Sequence, residues 1–196
     1  MARKPRIEYK GAIYHIISRG NYRKDLFTVA KTGEQFEKAL FEVCVRCGWR
    51  LHAYVIMSNH YHLALETPNG NLVEGMRWLQ GTFGNRFNKF TGEHGHVFQG
   101  RYKSLIVEPE VSLLGLVNYI HLNPVRAGIL SVEELKSYKL SSYPKLFKRK
   151  TPSPLQRRDF LQQAGLPDTL TGMRHYSKLL KLREEGDPKK RAALEK

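Results

Sequence analysis

The chain has 196 residues, 41% of them hydrophobic, enough for one domain of ordinary size with a true core plus an appendage. Lys and Arg total 33 against 18 acidic residues, and the resulting net charge of +15 points to a polyanionic partner, nucleic acid above all. No run of about 18 apolar residues offers a membrane span, and the basic start Met1 to Arg6 has no apolar leader core, so a cytoplasmic, nucleoid-associated protein without a membrane partner is expected.

Residues 11–20 are rich in β-branched and aromatic side chains and predict a strand closed by Gly20-Asn21. From Gly33 to Cys47, apolar side chains (Phe36, Leu40, Phe41, Val43, Cys44, Cys47) recur at helical spacing, and Gly48 stops the helix. Cys44 and Cys47 form a C-x-x-C, a spacing used in redox and half-zinc motifs. Lying inside a helical pattern with no second pair, they read as buried core thiols. Trp49 to Met57 and Asn59 to Glu66 predict two strands that turn at Ser58-Asn59, and Thr67-Pro68-Asn69-Gly70-Asn71 is a loop.

Leu72 to Phe90 predicts a long helix with Leu72, Met76, Leu79, Phe83, Phe87 and Phe90 on one side, broken by Gly92 and Gly95. Strand character returns over Val97 to Val107. Val111 to Leu122 predicts a second amphipathic helix ending at Asn123-Pro124, followed by a short element and by Ser137 to Phe147. The order β-α-β-β-α-β-α argues for an α+β fold, an α/β sandwich with a central antiparallel sheet, and against a repeated parallel array. After Lys145 the chain turns basic and Pro-containing. Pro154 is placed to open a helix over Leu155 to Ala164, Thr169 to Glu185 predicts another, and the charged end 187–196 is expected to fray. The expected division is a folded domain over 1–145 and a basic helical extension over 146–196.

His60-Tyr61-His62 carries the chemistry. Side chains alternate faces along a strand, so His60 and His62 point the same way and Tyr61 the other. Two adjacent imidazoles make a pair of metal ligands, although such pairs also occur on half-exposed strands with no ligand. Two ligands do not complete a site. Tyr119 and Asn123, four apart on the predicted helix, share a face. A carboxamide oxygen suits a hard cation and a phenol one turn away suits a nucleophile, against the plainer readings of a helix aromatic and a helix-end residue. His94-Gly95-His96 reads as a loop near a nucleic acid. His15, His52 and His121 read as packing residues, and Tyr102, between Arg101 and Lys103, as a backbone contact more than a rival nucleophile.

Three blocks in this order, Met57-Ser58-Asn59-His60-Tyr61-His62-Leu63, Gly95-His96-Val97-Phe98-Gln99-Gly100-Arg101-Tyr102-Lys103 and Tyr119-Ile120-His121-Leu122-Asn123-Pro124-Val125-Arg126-Ala127-Gly128, resemble the HUH superfamily (His, hydrophobic residue, His). Within it the chain most resembles the single-tyrosine transposases, specifically the REP-associated tyrosine transposases, with Ser141-Ser142-Tyr143 where that family carries such a segment. The resemblance implies the ferredoxin-like, RRM-like HUH fold over the first 145 residues. It implies that His60, His62 and Asn123 bind Mg²⁺ or Mn²⁺. It implies that Tyr119 attacks single-stranded DNA at hairpin sequences of the REP type, leaving a 5′-phosphotyrosine and needing no nucleotide cofactor.

Further DNA contacts are expected from the arm Arg3, Lys4 and Arg6, which by resemblance reads a guide sequence beside the hairpin. Arg101, Lys103 and Arg126 flank the predicted active site, and Lys148, Arg149 and Lys150, with Arg157 and Arg158, are expected to grip the hairpin duplex. Arg77, Arg86 and Lys89 add charge on the long helix, and Tyr22, Phe27, Phe90 and Tyr102 are candidates to stack on unpaired bases, with core packing the plainer reading for most. A monomer or a homodimer both fit. The alternatives are an HUH replication or mobilisation nickase, for which the chain is short, and a nucleic-acid-binding regulator without cleavage.

Overall fold

The computed structural model of the chain describes residues 6–29, 31–107 and 112–186. Alternation sets the sheet. Along Ala12–Arg19 (β1) every second residue is buried, the signature of a strand with one sealed face and one open face. Thr32–Cys47 (α1) follows and ends where the left-handed Gly48 donates its amide to the Cys44 and Val45 carbonyls. Arg50–Ile56 (β2) and His60–Thr67 (β3) form a hairpin, Leu72–Thr91 (α2) is the long helix, and Lys103–Ile106 (β4) closes a four-stranded antiparallel sheet of order β2-β3-β1-β4. The expected α+β fold with a central antiparallel sheet is thus the one observed.

One face of the sheet presents Tyr14 and Ile16 of β1 with Tyr61, Leu63 and Leu65 of β3. α1 and α2 seal it with an aromatic cluster: the Phe36 ring lies 4.5 Å from that of Tyr61, and Phe83 lies 5.2 Å from Phe36. The opposite face carries His15, Ile17 and Arg19 of β1 beside His60, His62 and Ala64 of β3. Leu113–His121 (α3) packs over its β2–β3 part and leads into Asn123–Arg126 (α4). Ser142–Leu146 (α5), Arg158–Gln163 (α6) and Leu170–Glu185 (α7) follow, and Leu146, Leu155, Phe160, Leu161, Met173, Tyr176 and Leu180 are buried in the same core as the sheet. Among the described residues, no helix is long and apolar enough to cross a membrane.

Three elements differ from the sequence expectation. The strand over Val97 to Val107 shrinks to β4, because Gly95 and Gly100 take positive φ and the chain between them reaches the sheet only through a bridge from Phe98 to Gly20. The helix before Asn123 ends at His121 instead: Pro124 has no N–H with which to continue the ladder, so the chain restarts as the single turn α4. Pro154 opens no helix. Its carbonyl accepts from the Leu51 amide and Gln156 donates back to the Leu51 carbonyl at 2.8 Å, so this segment covers the β2 edge and α6 starts only at Arg158. The start of the expected helix at Val111 and the charged end 187–196 lie outside the described residues.

Candidate active site

The antiparallel register places Ile17 opposite His62 and Arg19 opposite His60, so β1 and β3 together supply the floor of a cleft. The cleft, about 340 Å³, is lined by Ile17, Arg19, His60, His62, Tyr119, Asn123, Arg126 and Ala127. The structure therefore gathers the two histidines, the tyrosine and the asparagine into one cleft. The Tyr119 ring stands edge-on to the His62 ring at 5.5 Å, and the His60 and His62 rings are 5.2 Å apart.

Hydrogen bonds orient both imidazoles. The Asn59 amide nitrogen donates to the Arg23 carbonyl, which turns its oxygen toward His60 Nδ1 at 2.8 Å. An amide oxygen only accepts, so His60 Nδ1 carries the proton and Nε2 keeps a lone pair. His62 Nδ1 lies 3.0 Å from His15 Nε2, and in the tautomer with the shared proton on Nδ1 its Nε2 is left for the cleft. Burial pushes the His62 pKa down to about 3, helped by His15, His60 and Arg19, and burial lowers His15 to about 4; His60 is lowered by burial and by Arg19. All three rings are neutral at pH 7, the state in which imidazole binds a metal. Two neutral imidazoles and an amide oxygen fit a small divalent cation.

Tyr119 is turned into the cleft by its own helix. His121, two residues on, points about 200° away. It is fully buried, with Nδ1 2.9 Å from the Tyr176 hydroxyl and Nε2 2.9 Å from Ser142 Oγ. Ser142 Oγ in turn accepts from the Tyr54 amide. Anchoring that side leaves Tyr119 38% exposed, with the Arg126 guanidinium 5.4 Å from its ring centre. Tyr102 is differently placed. It is buried, its pKa is pushed up to about 12 chiefly by burial, and Arg6 stacks on its ring and donates to its carbonyl.

A family profile described as "Transposase IS200 like" matches residues 8–123, a span that holds His60, His62, Tyr119 and Asn123. The chain belongs to the IS200-like transposase family. Among solved structures, a REP-associated tyrosine transposase bound to a REP hairpin aligns with TM-score 0.62 at 18% identity over 78% of this chain and 88% of that one, which shows a shared fold. A provisionally assigned transposase from Deinococcus radiodurans R1 aligns with TM-score 0.44 at 18% identity over 66% of this chain and 99% of that one. No curated protein matches the sequence.

The cationic residues singled out in the sequence fall into three groups. Arg19 and Arg126 line it, and Lys103 pairs across from Ile17, which puts it on the same sheet face as His62. Arg101 and the run Lys148, Arg149 and Lys150 are exposed elsewhere. Arg3 and Lys4 lie outside the described residues, whereas Arg6 is engaged with Tyr102. Two expectations need correction. Arg157 is buried, donating to Asp168 and to the Leu146 and Lys148 carbonyls, and so is unavailable to DNA. Of the stacking candidates, Phe27 packs in the core against Phe36 and Phe83 and Tyr102 is buried under Arg6, the plainer reading for both, so neither is open to a base. Arg86 pairs with Glu42 of α1. Arg19 lines the cleft and His15 and Asn59 contact its two histidines, whereas the sequence reads His15 as a packing residue and gives Arg19 and Asn59 no role of their own. Alternation from His15 to Arg19 marks one face, but nothing local in the sequence says which strand lies beside it.

Proposed function

We propose that the chain nicks and rejoins single-stranded DNA through a covalent link to Tyr119. The Tyr119 oxygen attacks a backbone phosphorus, the bond from phosphorus to the 3′ oxygen breaks, and that oxygen leaves as a 3′-OH after taking up a proton. The product is a 5′-phosphotyrosine. Attack on that link by the 3′-OH of another strand reverses the step and joins DNA, with no nucleotide cofactor, because the phosphodiester is conserved in the covalent link.

His60, His62 and Asn123 would hold Mg²⁺ or Mn²⁺, which when bound supplies positive charge to the scissile phosphate. Arg19 and Arg126 bring fixed positive charge to the same cleft, where charge accumulates on the phosphorus oxygens in the transition state. Lys103, Arg101 and the exposed run 148–150 track the DNA backbone, and Arg3, Lys4 and Arg6 contact the segment beside a hairpin, for which Arg6 must leave Tyr102. Hairpin DNA is the proposed partner because the fold is shared with a transposase solved on a REP hairpin. The protein acts as a monomer or a homodimer.

The approach of the Tyr119 ring to His62, in a cleft that also holds His60 and Asn123, carries this reading. Incubating the protein with end-labelled hairpin-containing single-stranded DNA and Mn²⁺, then running a denaturing gel, tests it. A covalent protein–DNA adduct is expected, and Tyr119→Phe is expected to abolish it. DNA that shifts on a native gel but never forms an adduct overturns the enzyme in favour of a binding module. An adduct that survives Tyr119→Phe overturns the nucleophile.

A further inference from the structure

His52 breaks the register of the hairpin. Leu51 pairs with Leu65 and Ala53 with Ala64, and His52 is the extra residue between them. A bulge of this kind re-aims a side chain out of the ladder's alternation. The re-aimed imidazole is fully buried, and neither ring nitrogen has a hydrogen-bond partner. An orphaned buried polar ring is costly, so a native structure that keeps one calls for an explanation.

Two carboxylates converge on it. His52 Nε2 stands 3.9 Å from Glu66 Oε2, and Nδ1 stands 3.6 Å from Asp159 Oδ2, both beyond hydrogen-bond reach. One donor atom from each of His52, Glu66 and Asp159 lies within 4.8 Å of the others. Arg50 partly offsets Glu66 at 3.2 Å, but the like charges and the unpaired imidazole still share one small space. Donors about 2.1 Å from a common ion lie about 3.4 Å apart in the tetrahedral geometry of such sites. Closing the set around a cation therefore takes movements of about 1 Å that bring both carboxylates to one ring nitrogen. Asp159, in the first turn of α6 and 46% exposed, has the freedom to make them.

We propose that His52, Glu66 and Asp159 form a second metal site, for a divalent transition-metal ion of the Zn²⁺ class. One imidazole nitrogen with two carboxylate oxygens favours such an ion over Mg²⁺, which prefers oxygen donors alone. The exposed side of Asp159 leaves a position open to water. The site shares no residue with the transposase cleft. Glu66 lies on the same face of β3 as His60 but six residues along, roughly 20 Å away. Its bound ion would staple α6, the first helix after the Pro-containing segment, to the β2–β3 hairpin.

The test removes the cleft first. The full-length His60→Ala/His62→Ala protein, stripped with EDTA, is titrated with Zn²⁺ by calorimetry, and its thermal midpoint is followed with and without the ion. One equivalent of Zn²⁺ is expected to bind and to raise the midpoint. Adding Asp159→Asn is expected to weaken binding roughly tenfold or more and to remove the thermal shift. Glu66→Gln is expected to do the same and serves if Asp159→Asn folds poorly, with circular dichroism as the check. No Zn²⁺ binding in the His60→Ala/His62→Ala protein overturns the site. So does binding that neither carboxylate substitution weakens, which would assign the ion to exposed histidines such as His94 or His96. Neither result bears on Tyr119, so the DNA-cleavage reading stands or falls separately.

Discussion

His15 Nε2 and His62 Nδ1 meet at 3.0 Å across the β1–β3 pairing. When the shared proton sits on His62 Nδ1, His15 accepts it and His62 offers its lone pair from Nε2. His15 lines up with the site face of the sheet and stacks on His62 with ring centres 5.2 Å apart. Orienting partners of this kind are typically worth about 10–100-fold in metal affinity or activity. His15→Ala is therefore expected to shift the Mn²⁺ dependence of DNA cleavage to higher concentration by that factor while leaving the fold intact. His15→Gln, which can both donate and accept, should restore part of the loss. An unchanged Mn²⁺ half-saturation in His15→Ala would mean that His62 needs no such support.

The buried network behind Tyr119 makes a different prediction. Tyr176→Phe removes one hydroxyl and leaves His121 Nδ1 without its 2.9 Å partner in a fully buried position. The expected cost is about 1–3 kcal/mol, read as a lower urea midpoint. Because His121 holds the far side of the helix that presents Tyr119, adduct formation should also slow at a temperature where the variant is still folded. A midpoint equal to that of the unchanged protein would show that the Tyr176 contact adds nothing to that helix.

Local rules made His60 and His62 legible. A period of two put them on one face, and a period of 3.6 put Asn123 one turn from Tyr119 even though Pro124 interrupts the helix between α3 and α4. What stayed hidden depends on pairing at long range. His15 and Arg19 enter the site only because β1 pairs with β3 in one particular register, and a shift by one residue would send both to the other face. His52 looked like an ordinary strand histidine because a bulge leaves no mark in composition. Arg157 looked like one more surface charge in a basic run, since its burial is decided by Asp168 and two carbonyls that its neighbours in sequence do not announce.

That last contrast separates two kinds of basic residue in the C-terminal part. Arg157→Ala leaves the Leu146 and Lys148 carbonyls without a donor and should cost roughly 2–4 kcal/mol of stability. Lys148→Ala, Arg149→Ala and Lys150→Ala change exposed side chains and should leave the thermal midpoint in place. They should instead weaken binding to hairpin DNA and lower the slope of log affinity against log salt by up to about 1 for each lost phosphate contact. Fluorescence anisotropy at several salt concentrations, beside a melting curve for each variant, distinguishes the two. A salt slope unchanged by the triple substitution would remove this run from the DNA interface.

Cys44 and Cys47 are both free and buried on α1, and burial raises both thiol pKa values, that of Cys44 the more strongly. The thiolate is the reactive form, so a thiol probe at pH 8 should label neither cysteine in the folded protein and should label both once urea unfolds it. The same shift sets a pH dependence. A folded pKa above the unfolded value of about 8.5 means that the folded state holds its proton where the unfolded state releases it. This contribution to stability is complete below about pH 8.5 and is lost as the pH rises beyond it. The urea midpoint should accordingly fall between pH 8 and 10 in the unchanged protein, and fall less in Cys44→Ala, whose lower starting stability reflects the cavity alone. Rapid labelling of native protein at pH 8 would show that the α1 core opens far more readily than its packing implies.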